Sequence, residues 1–259
     1  MTSFQEGETR TYYDAFGHVY EGIWSAQIHT GYFDKDKPLE IACQDMNAYL
    51  ASKAGLRQGE RLMNVGCGRG GADRFLARQY NMTVTGIDIS DRQLREAKIR
   101  ATKEGLADKI TYVQASMVGI PVSNEAYNYV WAQQSLFHCH DKAKALCEFF
   151  RILKPGGHVA IEDTVLLDAR AKTEVLESFG RRLQLTDINT IDEYQNLFGQ
   201  TGFSFKNTED LSLHLERTYQ AVIKKIQKGQ VTRPDFLKTL QLVQEGKLGC
   251  MYVLIRKPL

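Results

Sequence analysis

Long apolar runs are missing from this 259-residue chain: no segment approaches the roughly 20 consecutive apolar residues that a bilayer-crossing helix needs. An excess of charge of one sign is missing too. The 33 Lys and Arg against 31 Asp and Glu leave a formal net charge of +2, which provides no electrostatic footprint for nucleic acid or an anionic membrane. Cysteine pairs are missing as well. Cys43, Cys67, Cys139, Cys147 and Cys250 are odd in number, scattered and without a C-x-x-C spacing, which speaks against a disulfide framework and against a structural zinc site. A reducing, cytoplasmic compartment is therefore the default expectation. Residues Met1 to Glu6 show no basic stretch leading into an apolar one, so no secretory signal is expected. No internal repeat, low-complexity tract or linker interrupts the chain. A composition of 43% hydrophobic and 25% charged residues suits one α/β domain spanning 1–259 with a well-buried core.

What the chain does have is Asn64-Val65-Gly66-Cys67-Gly68-Arg69-Gly70-Gly71, four glycines in six residues at the end of an apolar run. Glycines there let the backbone turn sharply and approach a ligand that a Cβ would exclude, and the following helix presents its N-terminus to that ligand. A second stretch, Met82 to Ser90, alternates like a strand and ends in Asp88, placed 22 residues after Gly66. A carboxylate at that distance suits the hydroxyls of a ribose lying across the strand ends. The glycine pattern is ambiguous. Gly66, Gly68 and Gly71 satisfy the dinucleotide fingerprint G-x-G-x-x-G, whereas Gly66, Gly68 and Gly70 satisfy G-x-G-x-G, which points to S-adenosylmethionine.

In chain order, residues 1–55 begin with the aromatics Phe4, Tyr12, Tyr13, Phe16, Tyr20, Trp24, Tyr32 and Phe33, expected in short helices and loops. A helix after Pro38 should bury Ile41, Ala42, Met46, Tyr49 and Leu50. Strands are expected at Leu62–Val65, Met82–Ile89, Ile110–Val113, Tyr127–Ala132 and His158–Val165, with helices over Ala72–Tyr80, Ser90 to about Gly105, and Lys142–Leu153. Ser90 followed by Gln93 has the spacing of a capping box, and Leu94, Ala97, Ile99 and Ala101 supply the apolar positions behind it. Beyond Leu166 the pattern turns helical, broken by a strand near Phe203–Lys206 and closed by one at Met251–Ile255. This alternation implies an α/β fold, a mostly parallel seven-stranded sheet with helices on both faces, an N-terminal aromatic lid and a helical insertion before the last strands. Residues 56–165 would form the core that binds the cofactor, and 166–259 the acceptor-pocket helices and last strands.

Three pieces in this order, Leu62 to Gly70, Gly86 to Ser90 and Leu153-Lys154-Pro155-Gly156-Gly157, resemble the class I S-adenosylmethionine-dependent methyltransferases over about residues 60–165. Trp24 with Ile28 to Phe33, and Val130 to His138, further resemble the group of sterol, tocopherol and sarcosine/dimethylglycine methyltransferases. Two places depart from the pattern. An acid common in the family is replaced by Asn64, and another by Gln134. The second departure favours a less charged acceptor over glycine derivatives.

The resemblance implies that Gly66, Cys67, Gly68 and Gly70 surround the methionine part of S-adenosylmethionine. It places Asp88 on the ribose, Ile89 and Gln93 beside the adenine, Ser116 and Met117 at its amine and ring, and Gln133 near the sulfonium. Core packing is the plainer reading of Ile89 and Met117. His138 is the candidate general base, with loop ordering as its plainer role. Tyr13, Tyr20, Trp24, His29 and Phe137 are the candidate lid or substrate residues; aromatic faces also favour a cationic sulfonium. Phe179, Phe198 and Leu213 are expected to line the acceptor pocket or pack the core, while Lys224, Lys225 and Lys228 suit a solvated helix face. His138-Cys139-His140 lacks a second ligand cluster, so no metal is expected. The expected activity is methyl transfer to a small, hydrophobic metabolite at nitrogen, carbon or oxygen. The alternatives are a small amine such as a glycine derivative, a nicotinamide-dependent oxidoreductase, or a non-catalytic cofactor-binding protein. Nucleic-acid methylation is disfavoured, because an Asn/Asp-Pro-Pro-aromatic motif and a basic stripe are both absent.

Overall fold

The computed structural model describes residues 7–15, 23–24, 27–228 and 234–259. Seven strands form one sheet in the order β3-β2-β1-β4-β5-β7-β6. They are β1 (Arg61–Val65), β2 (Thr83–Asp88), β3 (Ile110–Gln114), β4 (Tyr127–Gln133), β5 (Leu153–Leu166), β6 (Ser204–Asp210) and β7 (Leu248–Arg256). The pairings among β1 to β5 are parallel, and β7 runs antiparallel to both β5 and β6. The order reverses between β2-β1 and β4, so the chain crosses over beside β1 and leaves a crevice at the C-terminal ends of the central strands.

Both faces of the sheet are covered because its central strands are apolar on alternate residues in both directions. On one side Tyr129 and Trp131 of β4 and Tyr252 and Leu254 of β7 join a core shared with α2 (Leu39–Ala54), α3 (Gly71–Tyr80), α9 (Ser212–Lys228) and α10 (Pro234–Gln244). On the other, Val130 and Ala132 with Val253 and Ile255 pack against Leu146 and Phe149 of α5 (Lys142–Ile152) and Tyr194 and Phe198 of α8 (Ile191–Gln200). A first helix, α1, covers residues 7–15. Between β2 and β3 lies α4 (Asp91–Lys103). After β5 the chain forms two short helical pieces, α6 (Lys172–Val175) and α7 (Arg181–Leu183), joined by a wide π-helical turn over Leu176–Gly180.

Several expectations are corrected. Ile41, Ile99 and Leu213 point into solvent, so the buried stripe of α2 runs instead through Leu39, Ala42, Cys43, Met46, Leu50 and Ala51. Only half of the capping box forms. Ser90 accepts from the Gln93 backbone N–H at 3.1 Å, but the Gln93 side chain turns toward Gly68. β5 starts at Leu153, five residues before the expected His158, because Tyr127 pairs with Leu153 and a bulge between Tyr127 and Tyr129 absorbs the Pro155-Gly156-Gly157 segment. Lys225 is not part of a purely solvated face: it donates to the Trp24 carbonyl at 3.0 Å and pairs with Glu40, while Lys224 is exposed and the Lys228 side chain lies outside the described residues.

Candidate active site

The glycine turn is shaped by close approach from three sides. Gly66 has φ +68°, and a Cβ there would sit 2.5 Å from the Ser135 Cβ. Ser135 is fixed because its hydroxyl donates to the Val65 carbonyl at 2.7 Å, tying the end of β4 to the end of β1. A Cβ on Gly71 would sit 2.3 Å from the Gln27 side chain. The turn closes on β2 through Cys67 N–H to Ile87 O, 2.9 Å, and Gly68 N–H to Asp88 Oδ2, 2.9 Å. Asp88 also accepts from the Ser90 N–H at 2.9 Å. Its carboxylate is thus aimed by two backbone donors, with lone pairs left for ligand hydroxyls. Burial raises its pKa, against the pull of those N–H groups.

A cavity opens above this turn. Its walls include Gly66, Cys67, Gly68, Asp88, Ile89, Gln93, Ser116, Met117, Gln133, Tyr13, His29 and His138. Gly70 is not among its wall residues. It forms the left-handed N-cap of α3, with φ +68°, and a Cβ there would collide with the Tyr112 hydroxyl. Its glycine is required by the turn, and Gly71 lines the cavity in its place. Asn64, Arg69, Gln27 and Thr9 also line the cavity. Asn64 stands out in the sequence as a departure from the family pattern, whereas nothing in the local pattern of Arg69, Gln27 or Thr9 marks them as wall residues.

The family acid missing at Asn64 has a counterpart. Asn64 Nδ2 donates to Asp73 Oδ1 at 2.5 Å, and Asp73, on α3, is fully buried under the glycine turn. Burial pushes its carboxyl up to about 6. The acid missing at Gln134 has one too. Glu162, adjacent on β5 and fully buried, accepts from Gln134 Nε2 at 2.6 Å and from the Cys250 thiol at 2.9 Å. Gln134 is one of the few non-glycine residues with positive φ, 49°, held there by its N–H to the Glu162 carbonyl at 2.6 Å and by the Thr164 hydroxyl donating to its Oε1 at 2.8 Å. Burial raises the Glu162 carboxyl, which favours its neutral form.

A second, smaller cavity adjoins the first, and Tyr13, Ile28, His29 and Gln134 border both. Its remaining walls include Trp24, Thr30, Phe137, Phe179, Leu183, Leu215, Tyr219 and Arg182. Of the expected pocket residues, Phe179 lines it. Phe198 instead packs on the opposite face of the sheet, and Leu215 takes the place expected for Leu213. Trp24 belongs to this second cavity rather than to a cover over the first: its indole donates to the His29 carbonyl at 2.9 Å and its ring meets Tyr219 edge-on. Tyr20 lies outside the described residues.

His138, in a 3₁₀ turn just after β4, meets the first helix of the chain. Its Nε2 lies 2.9 Å from the Tyr13 hydroxyl, and its ring packs against Phe137 at 4.2 Å between centroids. Nδ1 is buried with no hydrogen-bond partner among the described residues. Desolvation, aided by Lys142 and Arg182, lowers the imidazole to about 3, so it is neutral at any physiological pH. His29 is likewise lowered to about 4 by burial. A second contact docks α1: the Ser90 hydroxyl donates to Asp14 Oδ1 at 2.5 Å.

An open α/β crevice with a bare glycine turn, an aimed acid at the end of the neighbouring strand and a separate apolar cavity next door defines a nucleoside-cofactor enzyme that acts on a second small molecule. The family described as "Methyltransferase domain" matches residues 63–161. The 27-O-demethylrifamycin SV methyltransferase of Amycolatopsis mediterranei is 28% identical over the full length of both chains. Methyltransferase GfsG of Streptomyces halstedii is 30% identical, across 83% of this chain and 80% of that protein. Among solved structures, a putative sarcosine dimethylglycine methyltransferase from Galdieria sulphuraria superposes with a TM-score of 0.85 at 25% identity, covering 95% of this chain and 98% of that one. The chain belongs to the class I S-adenosylmethionine-dependent methyltransferases, and it transfers methyl groups to small molecules. That membership sets the nicotinamide alternative aside.

The residues present fit the cofactor. The turn exposes backbone where side chains would collide, and Asp88 provides acceptors at the strand end. Ile89 and Met117 supply apolar walls, and Gln133, the last residue of β4, lies on the same cavity wall.

Proposed function

We propose that the enzyme methylates a hydroxyl of a small hydrophobic metabolite held in the second cavity. Bound S-adenosylmethionine supplies an electrophilic methyl group and a sulfur leaving group. In this reading Gly66, Cys67, Gly68 and Gly71 admit its amino-acid end and Gln133 donates to it. Asp88 holds the ribose hydroxyls, while Ile89, Met117, Ser116 and Gln93 surround the adenine. Gly70 acts indirectly, by setting the turn.

The observation that carries the choice of oxygen is His138. An imidazole with its Nε2 in hydrogen-bond reach of an exchangeable hydroxyl, close to the junction of the two cavities, is placed to take a proton from an acceptor O–H. Tyr13 occupies that nitrogen in the present structure and would either give way to the acceptor or relay its proton. A carbon acceptor would not need this arrangement at the moment of transfer. A cationic amine finds no ionised acid in the second cavity among the described residues. The relative named for 27-O-demethylrifamycin SV supports the same reading. Burial under α1, with Tyr13, His29 and Phe137 around the junction, would exclude water and align the reactants.

The test is transfer of isotopically labelled methyl to a panel of hydroxylated hydrophobic compounds, with their O-methyl, N-methyl and C-methyl products separated by mass spectrometry. His138→Ala is expected to lower kcat by about 100-fold or more while leaving S-adenosylhomocysteine affinity unchanged. Full turnover in that variant would remove His138 as the base. Exclusive formation of N- or C-methyl products would overturn the choice of oxygen.

A further inference from the structure

Asn64 stands on the wall of the larger cavity, and Asp73 lies fully buried behind it. One short contact locks the two, Asn64 Nδ2 to Asp73 Oδ1 at 2.5 Å. Room for the carboxyl comes from β2. Gly86 is the register partner of Asn64 there, and a Cβ on it would sit 2.8 Å from Asp73 Oδ2 and 2.9 Å from the Cys67 sulfur. An ionised carboxyl can only accept, so it dictates which way round the amide stands. The NH2 faces Asp73, and the carbonyl oxygen is turned to the other side. A neutral carboxyl also donates, and it is compatible with either orientation.

The titratable and charged groups that face Asp73 are Cys67 in the glycine turn, Tyr112 on β3, Asp88 at the end of β2 and Arg74 on its own helix. Arg74 is the cation of this set, but its hydrogen bonds go elsewhere. Its Nε donates to Glu104 at 2.8 Å, and one Nη donates to the carbonyls of Arg69 and Gly70 at 2.7 and 2.8 Å. The turn thus has a buried acid directly beneath a wall residue, and its field, when ionised, favours a cation on the cavity side.

We propose that Asp73 is a positioning residue for the ammonium of S-adenosylmethionine: it holds the Asn64 amide with its oxygen toward the cavity, as an acceptor for that ammonium, and attracts the positive charge from below. This rests on the reading that the glycine turn admits the amino-acid end of the cofactor. Loss of the Asp73 charge frees the amide to turn its NH2 to the cavity, where N–H would face N–H with no acceptor between them. Cofactor affinity then follows the ionisation of a carboxyl that does not itself touch the ligand. Burial pushes that carboxyl up to about 6, so binding tightens as the pH rises through that value.

S-adenosylhomocysteine and its deamino analogue, identical but for the ammonium, serve as probes. Their affinities are measured calorimetrically from pH 5 to pH 7.5, the weaker ligand by displacement, and the ratio of the two is the readout. Contributions from Asp88 and the adenosine end cancel in that ratio. For wild type the preference for the ammonium is expected to fall about 5-fold or more from pH 7.5 to pH 5. Asp73→Asn should show the reduced preference at every pH, while the deamino analogue still binds as it does to wild type. Asn64→Asp combined with Asp73→Asn puts the acid on the wall with a donor beneath it, and should restore the preference at pH 7.5. A wild-type ratio that does not change with pH would overturn the proposal, whether or not the variants fold. So would full preference in Asp73→Asn, or equal weakening of both ligands there, which marks a structural role alone. Failure of the underlying reading looks different: Asp88→Ala would then leave both ligands bound as tightly as in wild type.

Discussion

Asn64 on β1 gives its amide hydrogen to the carboxyl of Asp73 on α3 at 2.5 Å, beneath the glycine turn rather than within it. The turn thus keeps a fully buried carboxyl beneath it, supplied by the helix rather than by the strand.

That carboxyl makes stability depend on pH in a defined direction. Asp73 titrates at about 6 when folded and near 3.8 when unfolded, so the folded state binds more protons between those values. Stability from this residue is greatest below pH 3.8 and falls as the pH rises to 6, by about 3 kcal/mol in all. Lowered imidazoles at His29 and His138 act oppositely. The unfolded state binds more protons below pH 6.5, so their effect is constant above it and costs stability as the pH falls toward about 4 and 3. The difference between Asp73→Asn and wild type isolates the first contribution. The variant, which keeps an oxygen for Asn64, is expected to gain in Tm relative to wild type as pH rises from 4 to 6 and to hold that gain at pH 8. A Tm difference that does not vary with pH would reject it.

Gly66→Ala places a Cβ against Ser135 and forces a left-handed backbone on alanine. The combined cost is about 3 kcal/mol or more, and S-adenosylhomocysteine affinity should fall by at least about 10-fold. Adding Ser135→Gly removes the collision but not the backbone cost, so it should recover only part of the stability. Thermal unfolding with and without ligand measures both effects.

At position 134 an acid would face Glu162 across the 2.6 Å now bridged by an amide N–H. Gln134→Glu is expected to destabilise the protein at pH 8 by about 3 kcal/mol, because a donor becomes a second carboxyl and one of the pair must stay protonated. The exchanged pair Gln134→Glu with Glu162→Gln restores a donor opposite an acceptor and should regain most of the loss. Urea unfolding of the two singles and the double provides the coupling.

The first helix is pinned at Asp14 to Ser90 and at Tyr13 to His138. Asp14→Ala should loosen it, raising amide exchange over residues 7–15 by about 10-fold in the ligand-free protein, with S-adenosylhomocysteine restoring part of the protection. Unaltered exchange would mean that Tyr13, together with the Arg92 guanidinium donating to the Asp14 carbonyl, holds the helix without the Asp14 side chain.

Much of this molecule was legible in the chain because the informative signals were local. Val65-Gly66-Cys67-Gly68 announces a strand running into a turn that excludes side chains, and Asp88 follows at the end of the next strand. Parallel pairing then makes those two stretches neighbours, with Val65 opposite Ile87 in register. Gly70 shows the limit of the same motif. Its glycine is required, but for a contact with Tyr112, which no spacing along the chain reveals. Ile41, Ile99 and Leu213 were misplaced for a related reason: apolar side chains often remain on a surface, and only packing shows which do.

By itself, then, the sequence determined the alternating α/β order, the glycine turn, the acid that answers it and the class of cofactor, because each depends on residues within a few positions of one another. Tertiary structure alone decided that Asp73 faces Asn64 and Glu162 faces Gln134, that Tyr13 reaches His138 across 125 residues, and that Arg182 lines the second cavity. Those pairings are made between side chains whose positions are set by helix packing on a twisted sheet. A lone Asn, Gln or Arg carries no mark along the chain of what it will face once that packing is complete.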